Sequence, residues 1–94
     1  MGIIKSRPTI ANEDITLADT EYSYALPAHT KKFTIKLRDP GYPLKLCVVE
    51  SGSGTTYYNI PQGATHMEDD IKAPITLYFQ SPEASMVAEI ISWV

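Results

Sequence analysis

Residues 31–38 read Lys-Lys-Phe-Thr-Ile-Lys-Leu-Arg, and their side chains alternate between polar and apolar with a period of two. Phe33, Ile35 and Leu37 fall on one side, while basic residues and a threonine fall on the other. Successive side chains of a β-strand point to opposite faces of a sheet, so this period predicts a strand with one buried face. An Asp-Pro-Gly sequence follows at residues 39–41 and is typical of a tight turn.

Similar segments occur on both sides of this strand. Residues 21–26 and 75–80 alternate in the same way, and residues 44–50 are apolar on both faces, as in a central strand. Residues 55–60 are rich in Thr and Tyr, which favour strands. Because Pro and Gly separate these short segments, the sequence predicts an all-β fold, either a compact antiparallel β-sandwich or a small jelly-roll-like barrel.

Residues 82–94 allow two interpretations. The Ser-Pro-Glu sequence at residues 81–83 is typical of a helix start, and the apolar residues after it recur at helical spacing. The same segment is rich in β-branched and aromatic residues, which favour a strand with Val87, Ile91 and Trp93 on one face. We favour the strand, and a helix would make the fold α+β instead.

The length of 94 residues predicts a single domain. Residues 1–14 do not alternate cleanly and leave Ile3, Ile4 and Ile10 without local burial. Such a segment is either a loosely packed terminus or an extended arm that lies on a neighbouring subunit. We favour the arm, with residues 15–94 forming the β-domain.

The composition is that of a globular protein, with 44% hydrophobic and 20% charged residues. A formal net charge of −3 and scattered basic residues argue against nucleic-acid binding, which normally requires a basic patch. No apolar stretch reaches the roughly 18 residues of a membrane-spanning helix, and the first residues lack the pattern of a signal peptide. We therefore expect neither a nucleic acid nor a membrane as partner.

Few residues offer catalytic or metal chemistry. His29 and His66 are the only histidines and fall in predicted loops, while Cys47, the only cysteine, lies in an apolar run and is expected to be a small buried hydrophobe. Residues 66–70 are acidic enough to suggest a calcium site, but they lack the spacing of a dedicated calcium loop, and a solvated turn is the simpler interpretation. The sequence thus predicts a protein that is not an enzyme, with no catalytic residue, no metal and no cofactor.

Aromatic residues suggest binding surfaces instead. Tyrosine combines apolar area with a polar tip, which suits protein interfaces and sugar platforms alike. Tyr42 and Tyr58 are the two tyrosines expected to be most exposed, because turn residues or a solvent-facing side surround them. Trp93 is expected to anchor the core or a subunit interface.

Five short sequences carry a resemblance to a known class of proteins. They are Tyr-Ala-Leu-Pro-Ala at residues 24–28, Lys-Phe-Thr-Ile-Lys at 32–36, Ile-Pro-Gln-Gly at 60–63, Thr-Leu-Tyr-Phe-Gln at 76–80 and Ala-Glu-Ile-Ile-Ser-Trp at 88–93. Over residues 20–94 the chain resembles small virion structural proteins of tailed bacteriophages. His29 stands where the first turn of those proteins usually carries glycine, which puts the geometry of that turn in question.

The resemblance implies a homo-oligomeric virion protein, such as a capsid decoration (cement) protein or another accessory head or tail protein. Its partner would be the major capsid protein or another virion protein, and its location the virion, assembled in the cytoplasm of the host bacterium. The residues expected at the subunit interface are Ile3, Ile4, Ile10 and Trp93. The alternative is a carbohydrate- or receptor-binding β-module that uses Tyr42 and Tyr58.

Overall fold

The computed structural model describes residues 8–94, which form eight β-strands and no helix. The strands are β1 Thr9–Ile15, β2 Tyr22–Ala25, β3 Lys32–Leu37, β4 Leu44–Cys47, β5 Tyr58–Ile60, β6 His66–Glu68, β7 Thr76–Gln80 and β8 Met86–Trp93. The all-β prediction is confirmed. The α+β alternative is wrong, because the C-terminal segment is strand β8.

The strands form two antiparallel four-stranded sheets. Sheet A has the order β1-β8-β3-β6 and sheet B has the order β2-β7-β4-β5. Every connection crosses from one sheet to the other except β4–β5, which is a hairpin within sheet B. Of the two predicted architectures, the antiparallel β-sandwich is confirmed, and its eight strands in these two orders have the topology of a jelly roll.

A single apolar core lies between the two sheets, and it contains the alternating residues that the sequence predicted to be buried. On β3, Phe33 is 2% exposed and Ile35 is fully buried. On β7, Leu77 and Phe79 are fully buried. Among residues 8–94, the buried core consists of Ile15, Leu26, Phe33, Ile35, Leu37, Leu44, Leu46, Ile60, Leu77, Phe79, Ala88 and Ile90.

Strand β8 resolves the ambiguity of the C-terminal sequence. It lies between β1 and β3, and its inner side contributes Ala88 and Ile90 to the core. Its outer side carries Ile91 and Trp93, which are half-buried. A strand flanked on both sides and apolar on both faces produces a nearly continuous apolar run, and such a run also matches helical spacing.

Part of the predicted N-terminal arm belongs to the sheet of its own chain. Strand β1 pairs with β8 along its whole length, from Thr9 opposite Ser92 to Ile15 opposite Met86. From Thr9 onward the chain is therefore an edge strand of sheet A rather than an extension onto a neighbouring subunit. Residues 1–7 lie outside the described residues, so an arm formed by them remains a prediction, whereas strand β1 runs across the predicted boundary at residue 14.

Two local features differ from the sequence-based expectations. His66 was expected in a loop but begins the short strand β6, which pairs with β3 through Ile35. His29 has a φ angle of 66°, within the left-handed region that glycine favours, so its turn has the conformation that a glycine would allow. The described residues also contain no helix that is long and apolar enough to cross a membrane.

Candidate functional site

The outward side of sheet A presents side chains from all four of its strands, because alternate residues of each strand point away from the core. We call this surface the open face. It consists of Ile10, Asn12, Asp14, Lys32, Thr34, Lys36, Met67, Val87, Glu89, Ile91 and Trp93.

A largely apolar row crosses the middle of the open face. Strand register aligns Ile10 on β1 with Ile91 on β8. Thr34 on β3 continues the row, with Ile91 on one side and Met67 of β6 on the other. Ile10 is 67% exposed and Met67 is 53% exposed, so both ends of the row leave apolar surface in solvent.

A charged row lies next to the apolar row. The Glu89 carboxylate is 3.5 Å from Lys36 Nζ and 3.0 Å from Arg38 Nε. The hydrogen bond that Arg38 donates, together with the charges of both cations, holds the pKa of Glu89 below its usual value. Asn12 of β1 lies opposite Glu89. The row therefore consists of a neutral polar side chain on β1, an acidic one on β8 and a basic one on β3.

A third row places Trp93 of β8 next to Lys32 of β3, whose Nζ lies 5.0 Å from the centre of the indole ring. This distance is that of a cation–π interaction. The structure therefore brings Ile10 and Trp93, two of the predicted interface residues, onto the same face. Ile3 and Ile4 lie outside the described residues, and the interface role of all four remains a prediction.

A shallow hollow of about 400 Å³ lies between the apolar and charged rows. Its lining comes from β1, β3, β8 and the turn before β6: Ile10, Asn12, Thr34, Lys36, Thr65, Glu89 and Ile91. Apolar side chains bordered by polar and charged ones are the arrangement found in protein–protein interfaces, where an apolar centre is surrounded by a polar rim.

Sheet B has a different outward side, because the β4–β5 connection, residues 48–57, folds back over part of it. Gln80 of β7 donates a hydrogen bond of 3.0 Å to the hydroxyl of Ser53, and both residues are buried. Lys45 of β4 lies with its Nζ 4.8 Å from the centre of the Tyr57 ring. The chain thus covers with its own loop a surface that would otherwise be exposed.

Glu21, which precedes β2, holds this loop in place. Its carboxylate accepts hydrogen bonds from the backbone N–H groups of Ser51 at 2.8 Å and Ser53 at 3.0 Å, and a third from the Ser53 hydroxyl. These donors, the hydroxyl above all, keep the pKa of Glu21 below its usual value. We call Glu21, Ser53 and Gln80 the polar clamp.

Cys47 lies beneath the same loop. Its side chain points to the outward side of β4 and is half-buried, and its sulfur accepts a hydrogen bond of 3.3 Å from the N–H of Val49. Gly52 lies so close that a Cβ atom there would be 2.5 Å from Cys47 Sγ. The thiol therefore packs against the loop that covers it.

The two predicted ligand residues have different surroundings. Tyr42 is half-buried and packs against the core, and the negative charge of Glu83 raises the pKa of its phenol. Tyr58 is 58% exposed, but one side of its ring lies against His66, with the ring centres 4.8 Å apart. The structure supports an accessible aromatic surface at Tyr58 more than at Tyr42.

The acidic segment after His66 is solvent-exposed. His66 Nε2 lies 3.2 Å from a carboxylate oxygen of Glu68, while Asp69 and Asp70 are exposed. Within residues 8–94, no group of three or more His, Cys, Asp or Glu side chains is arranged to hold a metal ion.

No match to this chain is found among protein-family models, curated proteins or solved structures. The open face and the polar clamp therefore have to be interpreted from their own residues. Sequence reasoning placed Val87, Ile91 and Trp93 on one face of β8, but it missed Met67, because β6 has only three residues. It also missed the clamp, because no local pattern connects Glu21 with Ser53, which lies 32 positions later.

Proposed function

We propose that this chain is a non-enzymatic structural subunit of a larger assembly, and that the open face attaches it there. The observation that carries the proposal is the unequal covering of the two sheets. The outward side of sheet B is partly covered by residues 48–57, whereas the open face leaves Ile10 and Met67 more than half exposed. A contiguous apolar surface with a polar border is a common mark of an interaction site.

Burial of the apolar row provides the driving force. Complete burial of a fully exposed side chain of this type contributes roughly 1.5–3 kcal/mol. Ile10 and Met67 are 67% and 53% exposed in the isolated chain, so each can gain only that share of it. Because association also costs translational and rotational freedom, a stable complex needs more than these two residues. Ile91 and Trp93, half-buried in the isolated chain, add further apolar surface on the same side.

The type of assembly we propose is a virion, in which the chain serves as a capsid decoration protein or another accessory head or tail protein of a tailed bacteriophage. The resemblance described above supports this proposal, and jelly rolls occur in viral capsid domains as well as in lectins. Since a fold is shared by proteins of many functions, the fold alone does not select the virion. Ile3 and Ile4 belong to the proposal as further contacts of the N-terminal segment.

Sedimentation velocity of the full chain over a range of concentrations tests the proposed association. We expect self-association of the unmodified chain and a clear loss of it in the double variant Ile10→Ser, Met67→Ser. The matched control is Val48→Ser, Val49→Ser, which removes two apolar side chains of similar exposure, 58% and 64%, from the loop over sheet B. The control should associate like the unmodified chain.

Two results would contradict the proposal. One is an unmodified chain that stays monomeric at every concentration and does not bind to purified phage particles. The other is equal loss of association in the open-face and control variants, which would indicate nonspecific hydrophobic contact.

A second candidate function, glycan or receptor binding, is favoured by the exposed ring of Tyr58 beside His66 and Glu68. An aromatic ring with hydrogen-bonding groups next to it suits a sugar. Binding to a glycan array that Tyr58→Ala abolishes would support this function. Tyr57→Ala is the control, because Tyr57 is also exposed but contacts Lys45.

A further inference from the structure

The two central strands of sheet A place complementary residues side by side on the open face. Glu89 of β8 lies opposite Lys36 of β3, and Trp93 lies opposite Lys32. These strands occupy the middle of the order β1-β8-β3-β6. Suppose that a second copy is related by a half-turn about an axis that runs parallel to the strands, in front of the open face and midway between β8 and β3. This rotation places β8 of one copy over β3 of the other and leaves each row of side chains at the same position along the strands.

This half-turn produces charge complementarity between two copies. It places Glu89 of one copy over Lys36 of the other, and the reverse contact forms at the same time. Packed sheets lie about 10 Å apart, a gap that a lysine and a glutamate side chain span together. The ion pairs that Glu89 forms with Lys36 and Arg38 within each chain would then extend to a network of six charges.

The same half-turn also matches apolar groups. Strand β1 of one copy comes to lie over β6 of the other, so Ile10 faces Met67, the two most exposed apolar side chains of the open face. In the third row, each Trp93 faces a Lys32 of the second copy, which extends the cation–π contact.

An axis perpendicular to the strands gives a less favourable arrangement. If that axis passes over Ile91, the charged row of one copy lies over the third row of the other. Lys36 of one copy then faces Lys32 of the other. Like charges in direct opposition disfavour a complex. Of these two arrangements, charge complementarity favours the axis parallel to the strands.

We propose that the open face binds the open face of a second copy of this chain, with a two-fold axis parallel to the strands. The inference rests on the proposed function, because it names the partner of the same surface. Both copies present the same residues, as two-fold symmetric interfaces require.

Mixing two charge-reversed full-length chains tests this arrangement. Glu89→Lys alone places lysines at positions 36 and 89, and Lys36→Glu alone places glutamates at these two positions. We expect each variant by itself to lose self-association by about tenfold or more, since like charges then oppose each other across the axis. A mixture of the two should form a one-to-one complex whose affinity is within about threefold of the unmodified chain.

The mixing design separates contacts between chains from contacts within a chain. Repulsion between positions 36 and 89 of one chain is not relieved by adding the other variant, whereas repulsion between chains is. Circular dichroism confirms that each variant folds. If either charge reversal fails to fold, Glu89→Gln and Lys36→Gln are used. Each is expected to weaken association by itself, and mixing the two should restore part of it, because Lys36 of one variant then faces Glu89 of the other.

A cross-link defines the register. Carbodiimide treatment of mixed ¹⁴N- and ¹⁵N-labelled unmodified chains should join Lys36 of one isotope to Glu89 of the other. Self-association without this cross-link, or a mixture of charge variants that stays as weak as its components, would overturn the two-fold arrangement and leave the proposed function standing. Absence of self-association in the unmodified chain would overturn the two-fold arrangement, and it would overturn the proposed function as well if the chain also fails to bind purified phage particles.

Discussion

The two sheets differ in whether the chain covers their outward sides. On sheet B, the polar clamp of Glu21, Ser53 and Gln80 fixes residues 48–57 over β4 and the end of β7. On sheet A, the apolar row of the open face keeps its ends in solvent. A sandwich needs only its inner faces for a core, so this difference supports the proposal that the open face makes contacts outside the chain.

The covering of sheet B depends on hydrogen bonds rather than on apolar burial. Val48 and Val49 are the apolar side chains of the loop, and both are exposed, whereas Ser53 is fully buried. Buried polar groups are tolerated only when they are hydrogen-bonded. The loop should therefore be sensitive to loss of a single partner, while the open face should not.

The largest effect on stability is expected from Glu21→Ala. This substitution removes the acceptor of three hydrogen bonds and leaves the N–H of buried Ser53 without its partner. Because hydrogen bonds to charged groups are strong and unsatisfied buried donors are costly, we expect a loss of about 2–3 kcal/mol in the free energy of unfolding. Urea denaturation measures it, and hydrogen exchange should show release of the loop.

Glu50→Ala is the control for this prediction. Glu50 is an exposed acid in the same loop, and its replacement should change the free energy of unfolding by less than about 0.5 kcal/mol. Equal effects of the two substitutions would show that the clamp does not hold the loop.

The sequence predicted the core better than it predicted the clamp. The period of two around Ile35 and Leu77 identified buried faces directly, because local alternation reports which side of a strand is apolar. The contact between Glu21 and Ser53 depends on the fold bringing distant segments together, and nothing near either residue signals it.

The open face was predicted in part. Ile10 was predicted to lack local burial and Trp93 to anchor the core or a subunit interface, and both lie on this face. Their neighbour Met67 was not recognised, because a strand of three residues is too short to show a period. Which of these residues become neighbours depends on strand order, and the jelly-roll order is a property of the whole chain.

The second largest effect is expected from Gly52→Ala. A Cβ atom at this position would lie 2.5 Å from Cys47 Sγ and 3.0 Å from the carbonyl oxygen of Val49, so the loop must shift away from sheet B. Overpacking of this kind typically costs about 1–3 kcal/mol, and we expect about 1–2 kcal/mol here because the loop lies at the surface. Urea denaturation measures the change.

A double-mutant cycle separates the clash with sulfur from other effects. In a Cys47→Ala background the sulfur is absent, and the cost of Gly52→Ala should fall, although the contact with Val49 remains. An unchanged cost in that background would place the origin of the destabilisation elsewhere in the loop.

Acid titration compares a carboxylate on each side of the molecule. The pKa values of Glu21 and Glu89 are both lowered in the folded chain. A carboxyl group whose pKa is lower in the folded chain than its ordinary value of 4.5 stabilises the folded state at pH values above 4.5. This contribution is lost as the pH falls through the pKa of the folded state. The free energy of unfolding should therefore decrease below about pH 4.5.

The two carboxylates should contribute unequally to the loss of stability in acid. Glu21→Gln should flatten this acid dependence more than Glu89→Gln, because Glu89 pairs with exposed cations, and surface ion pairs contribute little. Urea denaturation of both variants from neutral to acidic pH provides the comparison. A larger flattening in Glu89→Gln would mean that the open face, not the clamp, dominates the acid response.

The smallest effect is expected from Ile10→Ser, Met67→Ser when the chain is dilute enough to be monomeric. Both side chains project from the outward side of sheet A and contribute little to the core, so the free energy of unfolding should change by less than about 0.5 kcal/mol. At higher concentration the unmodified chain should gain thermal stability by mass action, and the variant should not. A loss of more than about 1 kcal/mol in the dilute variant would show that these residues stabilise the chain itself, and the open face would then not be a spare surface.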